Sequence, residues 1–255
     1  MKEVFFSIIT VVYNDKEGFC NTKKNISEQI YKDFEWIIID GASTDGTAEV
    51  VAELIQDPSL KWTSEQDNGI YDAMNKGLSI ASGEFVVFMN AGDVFSSKET
   101  LQIVAEKISK QENAISILFG GANLVFLNGK SKYRRPRKSC NTIWHGLPAT
   151  HQATYYKTDL IKNDPYDLKY EMCGDYYLTA SVVIQEVSEA YIDEPLVDFR
   201  IGDFSFKNPI LALTEAYSIQ KNLLHSSLPF RVASFSRRLV AICVVFFLCQ
   251  ISRFR

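Results

Sequence analysis

The chain has 255 residues, 46% of them hydrophobic and 23% charged, which is ordinary globular composition with enough apolar material for one large domain or a domain plus an appendage. Its net charge of −4 is unevenly spread: residues 216–255 hold six Lys or Arg and no Asp or Glu, so an acidic body carries a basic tail. That balance argues against a nucleic-acid groove across the body, and five scattered cysteines without CxxC spacing argue against a zinc site or disulfide framework and for reduced thiols in a cytoplasm.

Residues 4–12 (VFFSIITVV) read as a continuous apolar strand buried on both faces. Glu3, the lack of a small-x-small cleavage site and the stop at Asn14–Asp15 favour a first core strand over a signal peptide. A helix is expected over 17–30, with Phe19, Ile26 and Ile30 inward, then a strand over 35–39 stopped by Asp40–Gly41. Thr47 is placed to cap a helix through Val51 and Ile55 that ends near Asp57–Pro58. A short strand over 60–64 follows. Asp67 or Asn68 then caps a helix carrying Ile70, Ala73, Met74, Leu78 and Ala81, which Gly83 terminates. Residues 84–89 form the next strand and run into FMNAGD (88–93), an apolar run that stops on a carboxylate. Strands alternating with helices of this length imply βαβ units and a mostly parallel sheet. Beyond residue 100 the pattern loosens. It gives a helix near 98–110, strands near 115–119 and 121–127, a basic loop KSKYRRPRK (130–138), a strand over 151–157, a helix over 175–186, a strand over 189–199, and helical periodicity from 209 onward.

Ligands of open parallel sheets bind at the carboxyl ends of the strands. Here those ends are Tyr13–Asn14, Asp40, Glu65–Asp67 and Asn90–Asp93. Asp and Asn also favour turns and caps, so any one of them has a purely structural explanation. Together, several acids around one crevice repel unless a cation joins them, and Mg²⁺ binds through one or two carboxylates plus substrate phosphates.

The stretches ITVVYN (9–14), IIIDGASTDGT (37–47), DNGIYDAMNKGLSIASGEFVVFMNAGD (67–93), HQATYYKTDL (151–160) and GDYYL (174–178) resemble, in order and spacing, the family 2 glycosyltransferases of bacterial surface-polysaccharide type. The resemblance covers roughly residues 4–205. It implies an α/β GT-A fold, a Rossmann-like, mostly parallel sheet flanked by helices, and an inverting transfer of one sugar from a nucleotide-diphosphate sugar, with a UDP-sugar favoured.

It also implies roles. Tyr13 and Val11 lie beside the nucleotide base, Asp40 accepts a hydrogen bond from it, and Asp67 belongs to the next donor-binding loop. Asp93 aligns with the metal-binding acid of the family's Asp-x-Asp motif and would hold Mg²⁺ or Mn²⁺ against the donor diphosphate. Asn90 stands where relatives often have an acid, and Gly92 replaces an acid that many carry. Asp175 aligns with the catalytic base; Glu171 and Asp167 are alternatives. His151–Gln152 matches a pair near the acceptor site. Arg200, before the loop IGDFS, is placed to meet the diphosphate. Asp45 and Lys76 fit structural roles as readily as functional ones. Asp93 as a cap for the helix near 98, and Asp175 as a plain acid on a helix N-terminus, are the bland alternatives.

Two segments reach beyond the donor site. The loop 130–138 is by default solvated, with an acceptor diphosphate or an anionic membrane surface as the sharper expectation. Leu239–Cys249 (LVAICVVFFLC) would span only about 17 Å as a helix against a hydrocarbon core of ~30 Å. Flanked by Arg237–Arg238, Arg253 and Arg255, it reads as an interfacial helix on the inner membrane, or else as a helix packed on the domain or a second subunit. The expected organisation is a GT-A domain over 1–208 (nucleotide-binding half 1–97, acceptor half 98–208) with a helical tail over 209–255. The expected enzyme is cytoplasmic and peripheral, uses a lipid-linked or oligosaccharide acceptor and can be a homo-oligomer. The alternative is a non-catalytic nucleotide-sugar-binding scaffold; a nucleotidyltransferase is disfavoured because YNDKEGF replaces a Gly-rich basic loop.

Overall fold

A computed structural model describes residues 4–54, 59–111, 113–126, 129–200 and 208–252, with side chains beyond Val240 described only for Ile242. The first half alternates as its periodicity requires: β1 (Phe6–Val12), α1 (Lys16–Ser27), β2 (Phe34–Asp40), α2 (Thr47–Ala52), β3 (Leu60–Ser64), α3 (Ile70–Ile80) and β4 (Phe85–Phe88). Then come β5 (Val94–Phe95), α4 (Thr100–Ser109), β6 (Ile117–Val125), β7 (Ser131–Arg134), β8 (Thr154–Lys157), α5 (Thr158–Asn163), α6 (Gly174–Val183), β9 (Glu189–Arg200), α7 (Pro209–Asn222) and α8 (Leu228–Ser252). The described strands all belong to one sheet in the order β3-β2-β1-β4-β8-β6-β9-β5, with β7 on β6.

Every residue of β1 is buried, as expected of a strand covered on both faces. Alternate residues feed opposite cores. Ile8, Val12, Trp36 and Ile38 meet Phe19 and Ile26 of α1, while Ile9, Val11, Ile37 and Ile39 meet Met74 and Leu78 of α3. A third cluster joins Tyr176 and Ala180 of α6 to Ala216 and Ile219 of α7 and to Ile143.

The parallel pairings are β1 with β2 and β4, β2 with β3, and β6 with β9. The remaining pairings, β4–β8, β6–β8, β6–β7 and β5–β9, are antiparallel. The parallel reading therefore holds for the first four strands and gives way to a mixed sheet in the second half. Gly120–Gly121 does not divide two strands; β6 runs through it, with register shifts against β9. Part of the expected solvated loop 130–138 is β7. Ile30 lies past the end of α1 and is 47% exposed, not inward. The expected helix end at Ile55–Pro58 falls outside the described residues.

Gly83 acts differently from a helix-terminating glycine. Ala81, with extended backbone, caps α3. A Cβ on Gly83 would lie 2.5 Å from the Ser7 amide nitrogen, so the absence of a side chain lets this turn press against β1. Caps also shift by a residue: Gly46 and Gly69, at φ 91° and 112°, precede α2 and α3, and the side chains of Asp45 and Asp67 hold those turns.

Candidate active site

The strand ends converge at one edge. Val12 is in register with Asp40 and Asp40 with Ser64, while past β4 the Ala91 amide donates to the Val11 carbonyl at 3.1 Å. This places Val11, Asp40 and Asn90 along one rim. Asp40 is fully buried, and its carboxylate accepts from Ser64 Oγ at 2.6 Å and from the Ser43 amide at 3.2 Å. Tyr13 is 66% exposed beside it. A Cβ on Gly41 would lie 2.6 Å from Asp67 Oδ2 and 3.2 Å from the Tyr13 ring. Gly41 thus lets the Tyr13 ring and the Asp67 carboxylate pack closely against its backbone.

Asp93 stands at the far end of the rim. Its Oδ2 accepts from the Asn90 amide at 3.1 Å, and Gln152 Nε2 reaches both carboxylate oxygens at 3.2 and 3.1 Å. Asp93 closes its own turn and does not cap α4, whose preceding residue is Glu99. Burial is the largest influence on this carboxyl and lifts it above the ordinary range, against the pull of His151, Gln152 and the Asn90 amide.

Asp175, in the first turn of α6, is more than a helix-terminal acid. Its Oδ2 lies 3.1 Å from His151 Nδ1, and its Oδ1 accepts from the Tyr166 hydroxyl at 3.2 Å. Burial alone would favour a neutral His151; the field and hydrogen bond of Asp175, helped by Asp93, outweigh it and raise its affinity for a proton. The adjacent residues His151 and Gln152 therefore bridge the two acids, one to each.

Residues 7–173 match the family described as glycosyl transferase family 2. The chain belongs to that family. It is 34% identical over 190 residues to the uncharacterized glycosyltransferase Rv1514c of Mycobacterium tuberculosis, covering 71% of each chain. It is 28% identical over 191 residues to a PGL/p-HBAD biosynthesis glycosyltransferase of Mycobacterium bovis, covering 69% of this chain and 68% of the relative. Among solved structures, Staphylococcus aureus TarS 1–349 in complex with UDP-GlcNAc superposes with a TM-score of 0.71 at 18% identity, over 94% of this chain and 71% of that one. A Pyrobaculum calidifontis mannosyltransferase in complex with GDP-Man and Mn²⁺ superposes with a TM-score of 0.64 at 16% identity, over 98% and 79%. The glycosyltransferase has the GT-A fold.

Within this family 2 enzyme, the donor atoms around Asp93 bear on whether a cation fits. Among the described residues, no three His, Cys, Asp or Glu side chains converge as a ready-made metal site. However, Asn90 Oδ1 and Gln152 Oε1 are both buried with no hydrogen-bond partner. Unsatisfied acceptors beside a desolvated carboxylate are costly, and a hard cation with oxygen ligands relieves both. The residues fit a cation held by one carboxylate, with substrate phosphates completing its shell.

The other expected residues sort by contact. Asp45 accepts from the Lys16 amide at 2.8 Å and the Thr47 hydroxyl at 2.6 Å, which ties the 43–47 turn to α1. Lys76 Nζ donates to the Gln66 carbonyl at 2.7 Å and pairs with Glu65 at 3.0 Å, clamping the loop after β3 to α3. Arg200 is exposed at the end of β9; the antiparallel register of Val94 with Asp198 carries it toward the Asp93 end of β5. The loop IGDFS lies outside the described residues. Glu171 is exposed, and Asp167 pairs with Lys169.

Sequence reasoning missed Tyr166, Tyr71 and Glu215. Tyr71 stacks on Tyr166 at 4.9 Å, and a Cβ on Gly174 would meet its ring at 2.6 Å. Glu215 of α7 accepts from the amides of Glu171, Met172 and Cys173 at 2.8, 2.9 and 2.8 Å, fixing the approach to Asp175. Gly174 was the available signal, since it sits inside GDYYL where only a small residue fits against Tyr71.

Proposed function

We propose that the chain moves one sugar from a nucleotide-diphosphate sugar, a UDP-sugar by preference, to a hydroxyl of a lipid-linked glycan acceptor during polysaccharide assembly, with inversion at the anomeric carbon. The bridge from Asp93 through Gln152 and His151 to Asp175 carries this reading, because it links the acid that would face the phosphates to the acid that would accept the proton. Relatives named for PGL/p-HBAD and amylovoran biosynthesis, and neighbours solved with UDP-GlcNAc and GDP-Man, support the donor class and the pathway type.

Tyr13 and Val11 would flank the base, with Asp40 and Asp67 closing its pocket. Asp93 and Asn90 would hold Mg²⁺ or Mn²⁺, which supplies charge neutralisation on the leaving diphosphate. Arg200 would meet the same phosphates as a bidentate donor. Asp175 would take the proton of the attacking hydroxyl, while His151 and Tyr166 aim its oxygens. Residues 1–97 would bind the donor and 98–208 the acceptor, with the exposed apolar side chains of α8 resting on the inner membrane face.

The test is release of nucleoside diphosphate from UDP-GlcNAc with Mn²⁺, plus transfer to extracted lipid-linked acceptor. Asp175→Asn is expected to lower transfer by about 10²–10⁴ with donor affinity little changed. Asp93→Ala should abolish metal-dependent donor turnover. Donor binding with no turnover under any acceptor would instead establish a scaffold.

A further inference from the structure

Four guanidinium groups converge on one short stretch of backbone. Arg134, at the end of β7, donates from Nη2 to the Leu147 carbonyl at 3.0 Å, and Arg137 from Nη1 to the Gly146 carbonyl at 3.2 Å. From α8, Arg237 and Arg238 donate through Nη2 to the His145 carbonyl at 2.6 and 3.3 Å. A Cβ on Gly146 would have Arg238, Arg237 and Arg137 nitrogens at 3.5, 3.8 and 3.9 Å. The neighbouring Arg135 and Lys138 share Asp193, but among the described residues none of the four has a carboxylate within ion-pair distance.

That arrangement costs the fold free energy. Burial and then the fields of Arg134, Arg237 and Arg238 bring Arg137 down to about 10, and burial with the fields of Arg137, Arg237 and Arg238 keeps His145 below its usual range. Arg238 Nε and His145 Nδ1 are buried without partners. A guanidinium has five N–H donors, and the carbonyl bonds named here use one from each. Fastening α8 to the domain needs carbonyl contacts, which neutral amides could make without mutual repulsion. Four charges in one place call for an anion with several oxygens, and the Arg fork matches phosphate.

Position narrows the ligand further. The Arg238 guanidinium lies 5.3 Å from the centroid of the Tyr176 ring, and Tyr176 adjoins Asp175. The stretch 145–150 leads directly into His151. On the same helix, Phe235, Leu239 and Val240 are exposed within three residues of the arginines. A phosphate held here would have a proton-accepting acid on one side and an apolar surface on the other.

We propose that Arg134, Arg137, Arg237 and Arg238 form a second anion site, separate from the donor's diphosphate, that grips the phosphate or diphosphate of a lipid-linked acceptor and presents its sugar to Asp175. The acceptor's identity rests on the transfer reading above; the anion site itself does not. Charge–phosphate attraction sets its strength, so binding weakens with salt.

The full chain is titrated by calorimetry in chelator, which removes any cation-dependent phosphate binding at Asp93. One arm uses inorganic pyrophosphate and the other monomeric farnesyl diphosphate. Both are expected to bind, with affinity about tenfold lower in Arg137→Gln and in Arg237→Gln. Arg137→Lys should retain part of the affinity, and Lys110→Gln, an equal charge change just past the end of α4, should retain all of it. Should Arg137→Gln fail to melt cooperatively, the exposed Arg237→Gln carries the test. Tighter binding of farnesyl diphosphate identifies a lipid phosphate as the source, and equal binding identifies the phosphate alone; both uphold the site. Absence of binding by either ligand, or binding equal in the Gln variants, overturns it. A wild type that binds farnesyl diphosphate yet turns over no donor keeps the anion site and sinks the transfer reading. Transfer indifferent to these arginines keeps the transfer reading and overturns the acceptor role assigned to the site.

Discussion

At the scale of single residues, the rim depends on how buried carboxylates are answered. Asp93 has the Asn90 amide and Gln152 as donors beside unsatisfied neighbours; Glu35, near the start of β2, is answered fully. It is 3% exposed and pinned by Lys61 Nζ at 2.6 Å, Ser7 Oγ at 2.5 Å, the Ser82 amide at 2.5 Å and the Gly83 amide at 3.2 Å. Burial pushes this carboxyl up, but the Lys61 pair and the hydrogen bonds from Ser7 and Ser82 outweigh it and hold it below 4.5. A folded pKa below the unfolded one gives stability that is full above the unfolded value and is lost as pH falls through the folded value. Glu35→Gln should therefore cost about 2 kcal/mol at neutral pH. It should also lose less stability than the wild type as pH drops below 4.5, as read from urea midpoints across that window. An equal acid-side slope in both proteins would show that Glu35 is not the titrating link.

At the scale of elements, α8 serves two surfaces. One face docks: Ser234 is buried and accepts from Gln220 at 2.7 Å, and Phe230 meets Trp144 at 4.8 Å. The other leaves Val232, Leu239 and Val240 at 53%, 44% and 62% exposure. Of the two expectations for the tail, packing on the domain is met by these docking contacts, and the membrane-facing role stays a proposal. Among the described residues, no helix is long and apolar enough to cross a membrane. Removing residues 228–255 is expected to shift the protein from membrane to soluble fractions. The gentler pair Leu239→Glu and Val240→Glu, which leaves Ser234 on Gln220, should cut sedimentation with anionic vesicles by about tenfold or more. Unchanged sedimentation would remove the tail as an anchor. The apolar face was legible from composition, whereas the docked face was not, because Gln220 and Trp144 come from distant segments.

At the scale of the whole molecule, donor binding should report on fold and site together. A donor at a hundred times its dissociation constant stabilises the folded state by ~2.7 kcal/mol. For a domain of this size that raises the melting temperature by about 5–10 °C. A screen of nucleotide sugars with Mn²⁺ should single out one donor, with the shift abolished in Asp93→Ala. No shift with any nucleotide sugar would leave the rim without a ligand.

The sequence alone determined the alternation of β1 to β4 with α1 to α3, the carboxylates at the strand ends and the family. Those follow from local rules: side-chain period, turn chemistry and the order of short motifs. It misjudged elements whose form depends on a distant partner. Strand β7 reads as a charged loop until it pairs with β6, and Gly120–Gly121 reads as a break until β9 lies alongside. Only the tertiary structure decided that His151 and Gln152 reach one acid each, and that arginines of β7, its following loop and α8 meet around Gly146. Burial of the two sheet faces sets those distances, and burial is a property of the closed chain that no single stretch of it carries.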